Sequence, residues 1–149
     1  MRKTLLFILF VSIVSCSNED DPVQESNNEL RYFRFSACDH TDDWRNESFV
    51  AATSNQVVIN QCLQQLSLPI DQRTLFPLGK IEEGSGGYNF NDTFEFNWHF
   101  VENDWVLVEM GIEIYDGCPY SEAELLDYVG TVGRYGGWGN RVDEEVFID

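Results

Sequence analysis

Apolar residues recur along this chain at two spacings, and each change of spacing marks an element boundary. From Leu30 to Ala37 they alternate with polar residues and include Tyr32, Phe33 and Phe35, which predicts a strand. Cys38 to Asn46 reads as a polar loop, and Glu47 to Ala52 predicts a second strand. Thr53, Ser54 and Asn55 then offer side-chain oxygens to cap a helix. Val58, Ile59, Cys62, Leu63 and Leu66 fall on one helical face, so Asn55 to Leu66 is expected to form a helix with one buried stripe. Leu75 to Glu82 predicts a third strand, and Gly84-Ser85-Gly86-Gly87 a flexible turn.

The strongest alternation follows. Phe94, Phe96, Trp98 and Phe100 alternate with polar residues, and Val106, Val108, Met110, Ile112 and Ile114 do so again after Glu102-Asn103-Asp104. This predicts a hairpin. A three-residue loop places Phe100 opposite Val106, Trp98 opposite Val108 and Phe96 opposite Met110, which keeps one face apolar. The other face then carries Asn97 opposite Glu109, with His99 diagonal to Glu109. Pro119 and Ser121 open a second predicted helix: Ser121 with Glu124 fits a capping box, and Leu125, Leu126 and Val129 supply its apolar side. An irregular glycine-rich stretch around Trp138 leads to a last strand from Arg141 to Ile148. The expected fold is α+β: a single small domain over residues 30–149, with a mainly antiparallel sheet and two helices.

The first residues obey a different pattern. Arg2 and Lys3 precede an almost unbroken apolar run from Leu5 to Val14, and small Ser15 precedes Cys16. That is the layout of a signal peptide, residues 1–15, and the run is shorter than the roughly 20 apolar residues a spanning helix needs. Ile13-Val14-Ser15-Cys16 resembles the lipobox of bacterial lipoproteins, which implies diacylglycerol on the Cys16 thiol and acylation, as by palmitate, of the new amine. Two or more acyl chains hold a protein on a membrane where one does not. Residues 16–29 are polar and aperiodic, a flexible tether. Its Glu19-Asp20-Asp21 run resembles the acidic surface-export signal of Bacteroidetes-type lipoproteins, so the expected location is the outer membrane, at the cell surface.

Loss of Arg2 and Lys3 leaves seven basic against 26 acidic residues, a formal charge of −19. Such a chain repels phosphate backbones, so nucleic acid is not an expected partner. Export permits disulfides. Cys62 falls on the apolar helix face, which leaves Cys38 and Cys118, near strand ends, as the candidate pair. No CxxC or Cys/His cluster exists to hold structural zinc, and no cofactor motif is present.

Gly79 before a strand, Gly87-Tyr88-Asn89, an aromatic strand ending Trp98-His99, the run Glu109 to Asp116, and Trp138 with Arg141 share an order and spacing with a known domain. The chain resembles the N-terminal domain of the BP seventy-four family of secreted proteins. The resemblance implies the fold and the export, but no catalytic mechanism. Family members tend to carry cysteine where this chain has Tyr115 and near Gly137, so the resemblance also implies a lost disulfide.

Candidate chemistry gathers on the polar face of the hairpin. His99 with Glu109 or Glu113 has the composition of a general-base pair, and the aromatic-His and Glu-x-x-x-Glu positions recur in the family. The same residues also suit the wet face of an ordinary sheet. Asp39, His40, Asp42 and Asp43 are oxygen-rich but lack the glycine and terminal glutamate of an EF-hand. Trp138 and Asn97 are binding candidates, Trp138 by stacking on a sugar or peptide unless it packs in the core. Three readings stand: a lipid-anchored binding domain for an unknown protein or glycan, a small hydrolase using His99 and Glu109, or a structural envelope component.

Overall fold

Phe33 and Phe35 occupy alternate positions of strand β1 (Arg31–Ser36), and both are fully buried. They fix which face of that strand meets the core. The computed structural model describes residues 29–36, 44–111, 130–131, 133–137 and 139–148. Around β1 stand β2 (Ser48–Thr53) on one side and β8 (Arg141–Val146) on the other, both antiparallel. A second sheet is built on β3 (Phe76–Glu83), flanked by β6 (Trp98–Val108) and β7 (Arg134–Gly136). Two short strands, β4 (Phe90–Asn91) and β5 (Phe94–Glu95), form a small ladder of their own.

Both three-stranded sheets contribute to one aromatic core. Phe49 lies against Phe35, Trp98, Phe100 and Tyr135, with ring centroids 5.4–6.0 Å apart. Helix α1 (Gln56–Leu66) covers part of it with Val58, Ile59 and Cys62. Asn55 caps this helix as its sequence predicts, accepting from the Val57 amide. Leu63 does not share the buried stripe, being 38 % exposed. Gln65 is buried instead, because its Oε1 accepts from the amides of Thr74 and Leu75 and ties the following loop to the helix.

Side chains join the sheets where backbone ladders do not. Buried Asn89 accepts from the Val50 amide of β2 at 2.8 Å and donates to the Trp98 carbonyl of β6 at 2.9 Å. The Trp105 indole donates to the Ala52 carbonyl at 2.8 Å. The Tyr135 hydroxyl donates to buried Asn140, whose amide donates to the Ser36 carbonyl. Tyr88 lies over the outer face of β2 with Val50 and Ala52, and donates to the Phe100 carbonyl at 2.6 Å. This second cluster is why β2 is buried on both faces.

Two expectations are corrected. The fold is not the expected sheet with two helices: among the described residues it is mostly antiparallel sheet with helix α1, two single-turn 3-10 segments, Trp44–Asn46 and Ile70–Gln72, and only residues 130–131 helical elsewhere. Residues 119–129, on which the second helix rests, lie outside the described residues.

The hairpin is also absent. Residues 98–108 form one strand, and both of its halves pair with β3: Trp98 and Phe100 with Glu83 and Ile81, Trp105 and Val108 with Gly79 and Phe76. Glu102-Asn103-Asp104 is not a reversal but part of a bulge. One residue of β3 there, Lys80, faces four of β6, Val101 to Asp104, and Asn103 takes a left-handed conformation with φ 62°. The bulge shifts the side-chain phase. Trp98, Phe100, Trp105 and Leu107 face the core, whereas Val106 and Met110 are 43 % and 80 % exposed.

Candidate functional site

The correction to β6 disperses the pair proposed for catalysis. His99 and Glu109 do not face each other across a turn; they lie along one run of chain. His99 stands opposite Glu82, and Val108, just before Glu109, opposite Phe76. Six residues of β3 separate these points, roughly 20 Å at strand rise. Glu113 and Trp138 lie outside the described residues, as do Cys16, Cys38, Cys118 and the Asp39 to Asp43 loop.

His99 has a local role. Its Nδ1 is 2.6 Å from the Gly84 carbonyl, so Nδ1 carries the donated proton. Its ring meets Tyr88 edge to face at 5.7 Å. A Cβ placed on Gly86 would come within 3.0 Å of the same ring. His99 thus holds the glycine turn against β6. Glu82, opposite it, has its carboxyl held below the usual range chiefly by the Lys80 ammonium at 2.7 Å and to a lesser extent by His99. Asn97 accepts from the Gly84 amide through its backbone carbonyl, and its buried Oδ1 has no partner among the described residues. Cys62 is buried and free, with its thiol pushed far up by burial, the state of an inert core residue.

Concavities form instead at the two ends of the β1–β8 ladder. One, of about 360 Å³, is lined by Glu29, Leu30, Tyr32, Val146 and Phe147 with the Arg31–Glu145 pair. Its arginine is spent: Nε and Nη2 both donate to the Glu145 carboxylate. The chain enters the domain here, at Glu29. The other, of about 470 Å³, is lined by Ser36, Ile70, Asp71, Arg73, Thr74 and Arg141. It lies at the far end of β1, where Ser36 pairs with Arg141, roughly 17 Å along the strand from Arg31.

Sequence patterns did not point to this second site. Ile70 to Thr74 is a short connection between α1 and β3, and Arg141 is a landmark of the family resemblance without a known role. The signal available was the scarcity of cations: two of the seven basic residues beyond Cys16 converge here.

The family model of the BP seventy-four N-terminal domain matches residues 29–148. No curated protein and no solved structure matches the chain.

Proposed function

The chain belongs to the BP seventy-four N-terminal domain family, and from that premise we propose that it is a surface lipoprotein whose domain binds another molecule, a protein or a glycan, without transforming it. Residues 1–15 direct export, lipid on Cys16 holds the product on the outer membrane, and residues 16–29 tether the domain of residues 30–149. The observation that carries this reading is the placement of the larger concavity. It opens at the end of β1 opposite to Glu29, so attachment at that residue does not cover it. Catalysis by His99 and Glu109 would need them within about 3 Å or one water of each other, and the strand holds them far apart.

The test is expression in a bacterial host that lipidates and exports such proteins. Wild type should incorporate labelled palmitate, sediment with outer membranes and be shaved from intact cells by added protease. Cys16→Ala should lose the label and leave the membrane. Replacing Glu19, Asp20 and Asp21 by alanine should keep the label but protect the protein from protease. Cells displaying wild type are then incubated with arrays of labelled glycans and proteins. Membrane retention of Cys16→Ala, or no specific capture by displayed protein, overturns the proposal.

A further inference from the structure

The distal concavity has a charge character at odds with the rest of the chain, whose formal charge is −17. Arg73 is held in place there. Its Nε donates to the Leu68 carbonyl at 3.1 Å and its Nη1 to the Val142 carbonyl at 2.8 Å, and its side chain is 12 % exposed. These bonds fix the guanidinium plane and leave Nη2 without a partner among the described residues. The nearest carboxylate, on half-exposed Asp143, stands 3.8 Å from Nη1, too far for a hydrogen-bonded fork. Arg141 brings a second guanidinium from β8, with Nη1 resting on the Asn140 carbonyl. Around the two cations stand the Thr74 hydroxyl, unpartnered among the described residues, the Ser36 hydroxyl, which donates to the Arg141 carbonyl, and exposed Asp71.

We propose that this cavity binds an acidic sugar of the uronic-acid class, the carboxylate taken by Arg73 and Arg141 and the ring hydroxyls by Thr74 and Asp71. The inference rests on the binding reading above and gives it a site and a ligand class. A preorganised guanidinium matches a planar carboxylate. A phosphate dianion is disfavoured by Asp71 at the rim and by the field of a strongly acidic chain. Asp71 offers only acceptors, so the group beside it must donate, as vicinal hydroxyls do. Exposed Ile70 gives a C–H surface for the ring. An extended peptide is poorly served, because adding a strand needs an open edge, and Arg73 already occupies the Val142 and Asp143 carbonyls of β8. The volume falls in the range of small-ligand pockets, roughly 300–1,000 Å³.

The test uses the full-length lipidated protein in detergent, titrated with galacturonic acid by calorimetry, with galactose and a short peptide bearing a free C-terminal carboxylate as comparators. Galacturonic acid should bind at least about tenfold more tightly than galactose, and Arg141→Ala should weaken it by a similar factor. Thr74→Val, a change at an exposed position, should weaken it several-fold with an unchanged melting temperature. Lys80→Ala removes the same charge elsewhere and should have no effect. Equal binding by wild type, Arg141→Ala and Thr74→Val overturns the site, as does no binding by folded wild type. Preference for the peptide overturns the ligand class. Capture of some other glycan or protein on cells, indifferent to Arg141→Ala, sinks this inference and leaves the binding reading intact. Arginine-dependent galacturonate binding by a protein whose Cys16→Ala form stays on the membrane would sink the anchor and leave the site.

Discussion

Gly79→Ala is the substitution that most directly tests the bulged path of β6. Gly79 has no positive φ, so alanine there meets no backbone penalty; the objection is purely steric. A Cβ on Gly79 would lie 2.2 Å from Trp105 Cβ, 2.5 Å from Trp105 Cα and 2.6 Å from the Asp104 carbonyl oxygen. Carbon atoms rest at about 3.5–4.0 Å, so β3 and β6 must part by more than about 1 Å. Two of the three atoms are backbone, so no rotamer change relieves the clash. Parting the strands also pulls on Trp105, which is 1 % exposed and hydrogen-bonded to Ala52. Overpacking costs about 1–3 kcal/mol, and each hydrogen bond lost costs about 1 kcal/mol. The expected destabilisation is therefore about 2–4 kcal/mol, a large share of the roughly 5–15 kcal/mol that holds a domain folded. Gly87→Ala is the comparator: its Cβ would meet nothing within 4 Å, but its φ is 78°, so the cost is conformational, about 1–2 kcal/mol. Urea unfolding followed by fluorescence reports both, since Trp98 and Trp105 are buried. A Gly79→Ala cost no larger than that of Gly87→Ala would refute the reasoning, because in a simple hairpin Gly79 has no reason to lie under Trp105.

Asn89→Ala should cost about 3–5 kcal/mol in the same assay, since it orphans the buried Val50 amide and Trp98 carbonyl; a loss under about 1 kcal/mol would mean that Asn89 is not joining the sheets. Tyr88 gives a pH signature. Burial raises its phenol above the ordinary value of 10.0, so its stabilising effect is complete below that pH and is lost as pH rises through the folded value. Stability should thus fall with alkalinity above about pH 10, and Tyr88→Phe should flatten that slope; an unchanged slope argues against a buried Tyr88. Non-reducing peptide mapping should find Cys38 linked to Cys118 and Cys62 alkylated only after denaturation. A disulfide to Cys62, or its rapid labelling in the native protein, would contradict its buried, high-pKa environment.

The elements legible in the sequence are those whose hydrophobic pattern keeps one phase from end to end. Strands β1, β2, β3 and β8 and helix α1 fall where alternation or helical spacing places them, to within a residue or two of most ends. The pattern misleads where phase changes inside an element. Phe100 and Val106 share parity, and Glu102-Asn103-Asp104 has turn composition, so a hairpin accounts for the sequence as well as the bulge does. What decides is remote in sequence. The Asn103 side chain accepts from the Thr53 hydroxyl and from the Ser54 amide and hydroxyl, some 50 residues away, and Gly79 leaves the room the bulge needs. Asn103 suits a left-handed turn and a bulge equally, so local propensity carries no preference. Buried Asn89, Asn140 and Gln65 were illegible for a related reason: hydropathy assigns amides to the surface, and their burial is explained by backbone groups that only the fold brings to them.

This division of labour bears on what family membership can convey. Of the residues that carry the resemblance, Gly79 accommodates the bulge, Tyr88 and Asn89 fasten the turn and the sheets, Trp98 fills the core and His99 holds the glycine turn. Each of these five has a structural task among the described residues. Arg141 differs, since it lines a cavity rather than the core. Its neighbours there, Asp71, Arg73 and Thr74, belong to the connection between α1 and β3, which lies within the matched residues 29–148. That connection is fastened by Arg73 and by the amides of Thr74 and Leu75, and leaves the Asp71 and Thr74 side chains exposed. On the proposed reading, ligand choice in this chain rests on Asp71, Arg73 and Thr74 together with Arg141, rather than on the landmarks that hold the fold.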